Sequence, residues 1–398
     1  MVSDININET IEDKKSWFNI KRFRIGNVPF EKPEKSLDVK NLDRPTFDTL
    51  GNDFKFCEAT KILKSFKNLE RLSEESEKQK IDYFFYRREW LTNLPNVVSF
   101  TFEFNPFNYV ISVDELSWFF DQYYPYSKLI LTVPNIRLRC RVNKKTYEII
   151  GLPDYIKFVD AAFKILNDKN SKPIFVPVPI KMNLKKLREL MEHYLKEERY
   201  CFWFDFEGQP ISEMSLGRLR HVFNIIKKTE NFDRTVSYFT NIRREKLSNS
   251  NELTSVASDA LCAVAGANLI GVNREPMRYF TLPPDTQNKT SGEAGKGDAT
   301  IRAATPVDPS HKARIFNRET YYYVKTTDSG LFPKNKYVPI NAAILNAEFK
   351  TQTEYFLQNM NVENLLNQKA MFKDEKAGDM LRQLTSKSTS SEKLTDFI

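Results

Sequence analysis

At 398 residues, with 41% apolar and 28% charged side chains, the chain is long enough for one large domain or two ordinary ones and has the composition of a soluble globular protein. Only 12 glycines, three histidines and four cysteines argue against collagen-like repeats, glycine-rich nucleotide loops and metal chemistry. The 60 basic and 52 acidic residues leave a net charge of +8 spread along the chain, which admits a polyanionic partner without requiring one.

The opening stretch, MVSDININETIEDKKSW, is polar and holds no apolar segment, so a secretory signal is not expected. No run approaches the roughly 18 apolar residues of a membrane span. Cys57, Cys140, Cys201 and Cys262 lack CxxC spacing and a histidine at ligand spacing. Neither a metal nor a cofactor is therefore expected, and the cysteines read as reduced thiols of a cytoplasmic protein.

Residues 1–95 read as an N-terminal α+β extension. FNIKRFRIGNVPFEKP suggests a short strand and turn, and residues 56–90 suggest helices on which Ile62, Phe66, Leu69 and Leu72 share a face. From residue 97 apolar runs alternate with helical periods. Strands are expected at VVSFTFEF (97–104), KLILTV (128–133), KPIFVPVPI (172–180), YCFWFDFEG (200–208), RTVSYFTNI (234–242) and NLIGV (268–272). Helices are expected at 114–124, 151–168, 183–198, 215–228 and 252–267, with Pro153 in a first turn and Asn183 as an N-cap.

Such runs suit parallel strands covered on both faces, in either a (β/α)8 barrel or an open doubly wound sheet. The chain has no GxGxxG turn, and its length suits a barrel, so the fold expected is a TIM-like (β/α)8 barrel over residues 96–340. Its last strands would come from 314–326 and either 274–283 or YVPI (337–340). A flexible insert at 283–313 would interrupt it, and residues 341–398 would form C-terminal helices and a polar tail.

A barrel places chemistry at the carboxyl ends of its strands. Asp205 and Glu207 stand two apart in an aromatic run, where a carboxylate is costly to bury unless paired, and together with Glu103 they are the candidate acid–base residues. The alternative is an ion pair with a neighbouring Arg or Lys. Arg137, Arg139 and Arg141 alternate into a basic stripe that, with Arg243 and Arg244, is a candidate contact for a nucleic-acid backbone; a solvated edge explains the stripe equally. Lys181, Gly208 and Asn273 complete the strand ends as candidate substrate contacts.

Residues 172–275 resemble the second half of the tRNA-guanine transglycosylase superfamily. The likeness lies in KPIFVPVPIKMNLKKLREL, then FWFDFEGQP with LGRLRHVFNIIKK, then TVSYFTNI with VASDALCAVAGANLIGV. It implies a barrel protein that exchanges a base in tRNA or another nucleic acid. The chain departs from the family in three places. One glycine, Gly208, stands for the family's pair, Gly271, Val272 and Asn273 stand where its nucleophilic aspartate is expected, and its zinc ligands are missing. The resemblance therefore implies a diverged or inactive member. Two other readings stand beside it: a non-enzymatic binding or assembly protein on a barrel scaffold, and an enzyme acting on a small phosphorylated or carbonyl substrate through Lys181.

Overall fold

The computed structural model describes residues 5–63, 88–91, 94–103, 112–137, 139–142, 145–148, 150–169, 172–246, 253–274 and 313–387. The chain has a mixed α/β fold around a curled parallel sheet. Two of its strands are interrupted. Glu34–Lys35 and Leu37–Asp38 are separated by Ser36, and Leu131–Thr132 and Asn135–Ile136 are separated by Val133 and Pro134, whose missing N–H cannot serve a ladder.

From Leu37–Asp38 the parallel ladder passes to Cys57–Leu63, then Asn96–Phe102, then Asn135–Ile136. From Leu131–Thr132 it passes to Ile174–Pro179, Cys201–Asp205, Val236–Thr240 and Leu269–Ile270, and then to Glu34–Lys35. The four-stranded and six-stranded sheets thus meet at the two interrupted strands. All six strands expected from residue 97 onward are present and parallel. The first two strands of the ladder, however, come from the stretch read as an N-terminal extension.

Alternation along each strand sorts the side chains between two cores. In Asn96–Phe102, Val98, Phe100 and Phe102 face outward, and Phe100 and Phe102 meet Phe119 edge-on. Val97 faces the other way, into a separate buried cluster with Phe175, Trp203, Val236, Tyr238 and Leu269. An antiparallel sheet of Ile7–Glu12, Asn19–Ile25 and Val28–Phe30 closes that end. Its Phe23 and Phe30 stack at 5.0 Å, and Phe30 meets Phe56.

The outer layer contains helices Val113–Tyr123, Leu152–Asp168, Leu184–Lys196 and Glu213–Lys228. Ser112 and Glu115 form a capping box on the first, and Asn183 caps the third by accepting from the Lys186 N–H. Pro153 sits in the opening turn of the second. Among the described residues no helix is long and apolar enough to cross a membrane.

Four expectations need correction. Residues 57–63 are a strand rather than helix, because ladders on both sides fix them, while 64–87 lie outside the described residues. The stretch 252–267 holds strand Thr254–Ala257 and a 3-10 turn, Ser258–Leu261, in place of a long helix. The region 314–326 is an antiparallel hairpin, Arg314–Asn317 with Tyr322–Lys325, not a strand of the parallel sheet. YVPI falls inside the helix Lys334–Asn359, which packs against Glu34–Lys35 and Arg314–Asn317. The 283–313 insert lies outside the described residues except for Ala313.

Candidate functional site

A cavity of about 220 Å³ opens at the carboxyl ends of the parallel strands. Thr60 and Thr101 line it from within their strands. Arg137, Glu207, Asn241, Asn273 and Arg274 line it from just beyond the strand ends, and Lys40 and Lys334 from the connections above.

Asp205 ends its strand on the inner face, because Phe202 and Phe204 take the outer one. It is fully buried. Its Oδ2 accepts from Thr101 Oγ1 and Asn135 Nδ2, and its Oδ1 from Asn241 Nδ2 and the Glu207 N–H, each at 2.9 Å. Tyr155 in turn donates to Asn135 Oδ1 at 2.9 Å. Four donors thus satisfy this carboxylate, which ties three strand ends together.

Glu207 faces the cavity instead. It and Gly208 both adopt left-handed backbone, φ 48° and 76°, and Asn241 on the next strand does the same at 56°. A non-glycine residue held there stores strain that its surroundings must impose. The Glu207 side chain is only 8% exposed, with Oε2 3.3 Å from Lys181 Nζ. Burial pushes its carboxyl up, the negative Asp205 adds to the effect, and Lys181 and Arg137 oppose it. Gly208 is needed for close approach: a Cβ there would lie 2.6 Å from Arg274 Cδ. Arg274 lies against this turn with its guanidinium toward the Glu207 carbonyl, and burial lowers its pKa. Arg137 is ion-paired with Glu103.

A second polar layer lies behind the cavity wall. Glu58 is fully buried and accepts from Ser99 Oγ at 2.7 Å, Thr60 Oγ1 at 3.2 Å, Thr240 Oγ1 at 3.1 Å and the Val272 N–H. Burial pushes its carboxyl up. Lys35, also buried, donates to the Gly271 carbonyl and to Asn273 Oδ1, and its pKa is lowered by burial. Asn273 Nδ2 donates to Asp259, which also accepts from Tyr323 Oη at 2.8 Å. Burial raises Asp259 to about 6.

The structure therefore gathers Asp205, Glu207, Glu103, Arg137, Lys181, Gly208 and Asn273 at one end of the sheet. Arg243 reaches the same end through the short parallel pair Ile242–Arg243 with Asn273–Arg274. Arg244 is not the outward-facing cation expected. It is 2% exposed, with its guanidinium over the rings of Tyr323 and Tyr337, because the chain turns inward after Arg243. Arg139 and Arg141 alternate along the hairpin Arg139–Val142 with Lys145–Glu148, and their side chains lie outside the described residues. Arg274 was expected only as a polar residue at the end of the sixth strand, and Glu58, Lys35 and Asp259 did not emerge from the sequence. Asp259 carried the same signal as Asp205, a lone acid in an apolar run (VASDALCAV).

No family model matches the chain, and no curated protein matches it. Among solved structures it is similar to DHODH of Eimeria tenella in complex with ferulenol, at 12% identity and TM-score 0.32 over 49% of this chain and 57% of that one. The chain thus spans little more than half the length of that protein. It is also similar to an N-acetylneuraminic acid synthetase from Leptospira borgpetersenii, at 10% identity and TM-score 0.39, covering 91% and 95%. A third likeness is to Rhizobium etli pyruvate carboxylase, at 10% identity and TM-score 0.37, covering 90% and 33%. At these scores the likenesses assign no activity to this chain.

Proposed function

We propose that the eight parallel segments close into a (β/α)8 barrel and that the protein is an enzyme moving a proton on a small polar substrate at the barrel mouth. Glu207 is the proton carrier in this reading. The observation that carries it is the buried Glu207 carboxyl on the cavity wall. Burial and Asp205 favour its neutral form while Lys181, 3.3 Å away, favours the charged one. Opposed influences of this kind ready a carboxyl for exchange in both directions. Asp205, saturated by four donors, positions Glu207 through its backbone N–H and leaves proton transfer to it.

Base exchange on tRNA or another nucleic acid, as the transglycosylase resemblance implies, is the second reading. Its support is the grouping of Arg137, Arg243 and Arg274 at the same end, where guanidiniums suit a phosphate backbone. Salt-dependent retention of tRNA, lost in Arg243→Ala, would favour it.

The test of the first reading incubates the full chain with a fractionated metabolite extract and follows every component by mass spectrometry. Wild type should consume at least one metabolite that Glu207→Gln leaves untouched. Consumption by Glu207→Gln at the wild-type rate contradicts the assignment, and an extract unchanged by wild type favours a binding protein on the same scaffold.

A further inference from the structure

The cavity wall separates two kinds of polar group, and that separation describes a ligand. On the strand side, the Thr101 hydroxyl proton and one Asn241 amide proton are already committed. Thr101 Oγ1 gives its single proton to Asp205, and Asn241 Nδ2 donates to the same carboxylate. Thr60 Oγ1 lies 3.2 Å from Glu58. Thr101 therefore offers the cavity only oxygen lone pairs, while Asn241 keeps its carbonyl oxygen and one N–H. A ligand hydroxyl suits that wall, donating to Thr101 and either donating to or accepting from Asn241.

The connections above the strands supply the opposite character. Lys40, Lys334 and Arg274 line the cavity, and none has an ion-pair partner among the described residues. The acids on the same wall are engaged: Asp38 accepts from Asn41 Nδ2 and the Lys40 N–H, and Glu207 faces Lys181. An excess of cation is therefore built around a cavity that holds on the order of seven waters by volume, room for a metabolite.

We infer that the cavity takes a small polyhydroxylated molecule bearing one anionic group, a phosphate or a carboxylate. Its hydroxyls would meet Thr101 and Asn241, and its anion would meet Lys40, Lys334 and Arg274. The inference deepens the proposed function and rests on the mouth being the working site.

Calorimetric titration of the full chain with D-ribose 5-phosphate, D-gluconate, D-ribose and inorganic phosphate tests it. Ribose 5-phosphate or gluconate should bind at least tenfold tighter than both ribose and phosphate, and the tighter of the two identifies the anion. The double variant Lys40→Ala/Lys334→Ala, at exposed positions, should weaken that binding at least tenfold. Thr101→Val should weaken it too, and if that variant does not fold, Asn241→Ala addresses the same wall. Unchanged affinity in the lysine double variant, equal binding of ribose or of phosphate alone, or no binding of any of the four overturns the inference. The two readings fail separately. Consumption of a neutral metabolite by wild type removes the ligand class and keeps proton transfer, whereas tight binding without any consumption does the reverse.

Discussion

The two ends of the parallel strands are built on opposite principles. At the amino end Phe23, Phe30, Phe56, Phe175 and Trp203 fill the interior and a three-stranded sheet seals it. At the carboxyl end the same inward-facing positions carry Glu58, Ser99, Thr101, Asp205 and Thr240, and a cavity opens above them. The difference shows two ways of filling the interior of one sheet, with apolar rings or with satisfied polar groups. An aromatic plug gains free energy by leaving water, whereas buried carboxyls cost free energy unless donors surround them. Left-handed backbone at Glu207 and Asn241 also collects at the polar end, where strain is tolerable only if neighbouring contacts hold it.

Substitutions at the two ends should therefore separate. The largest loss of stability is expected from Phe30→Ala, which removes the ring stacked on Phe23. It should cost about 3–5 kcal/mol in urea unfolding and leave ligand affinity at the mouth unchanged.

Asp259 sharpens the contrast through pH. Raised to about 6 from 3.8, its carboxyl keeps a proton in the folded chain that the unfolded chain has released. Stability therefore falls as pH rises from about 4 to about 6, by roughly 3 kcal/mol at full effect. Asp259→Asn should flatten that window in unfolding curves recorded at its two limits. A pH slope identical to wild type would place the titration elsewhere.

Gly208→Ala comes next. A side chain at φ 76° costs about 1–2 kcal/mol and would push against Arg274, so unfolding should register a modest loss and the mouth a weaker hold on anions.

Glu207→Gln has the smallest expected effect on stability, within about 1 kcal/mol at neutral pH, since it removes a carboxyl that burial already disfavours in its charged form. A loss of several kcal/mol would make Glu207 a structural ion-pair partner of Lys181.

The legibility of the sequence divides along similar lines. The six parallel strands from residue 97 onward were readable because apolar runs such as KPIFVPVPI alternate with capped helical periods. Asp205 and Glu207 were readable because acids are rare inside aromatic runs. The first two strands were not. Glu34 and Lys35 bury charged side chains in a two-residue strand, and CEATKIL has spacing that fits helix as well as strand until partners on both sides settle it. The helix Lys334–Asn359 was expected from residue 341 onward, and its opening turns were missed because YVPI resembles a short strand. Its buried face runs through Tyr337, Asn341, Leu345, Phe349, Gln352 and Phe356, so polar residues interrupt the apolar period. Lys35, Glu58 and Asp259 come from segments far apart in the chain, and only the curling of the sheet makes them neighbours.

The separation of the two ends is tested most directly by one side-by-side assay of metabolite consumption with wild type, Phe30→Ala and Glu207→Gln, at a temperature where all three are folded. The metabolite that wild type consumes should disappear at a similar rate with Phe30→Ala and persist with Glu207→Gln. Persistence with the folded plug variant, or disappearance with Glu207→Gln, would contradict the assignment of stability to one end and proton transfer to the other.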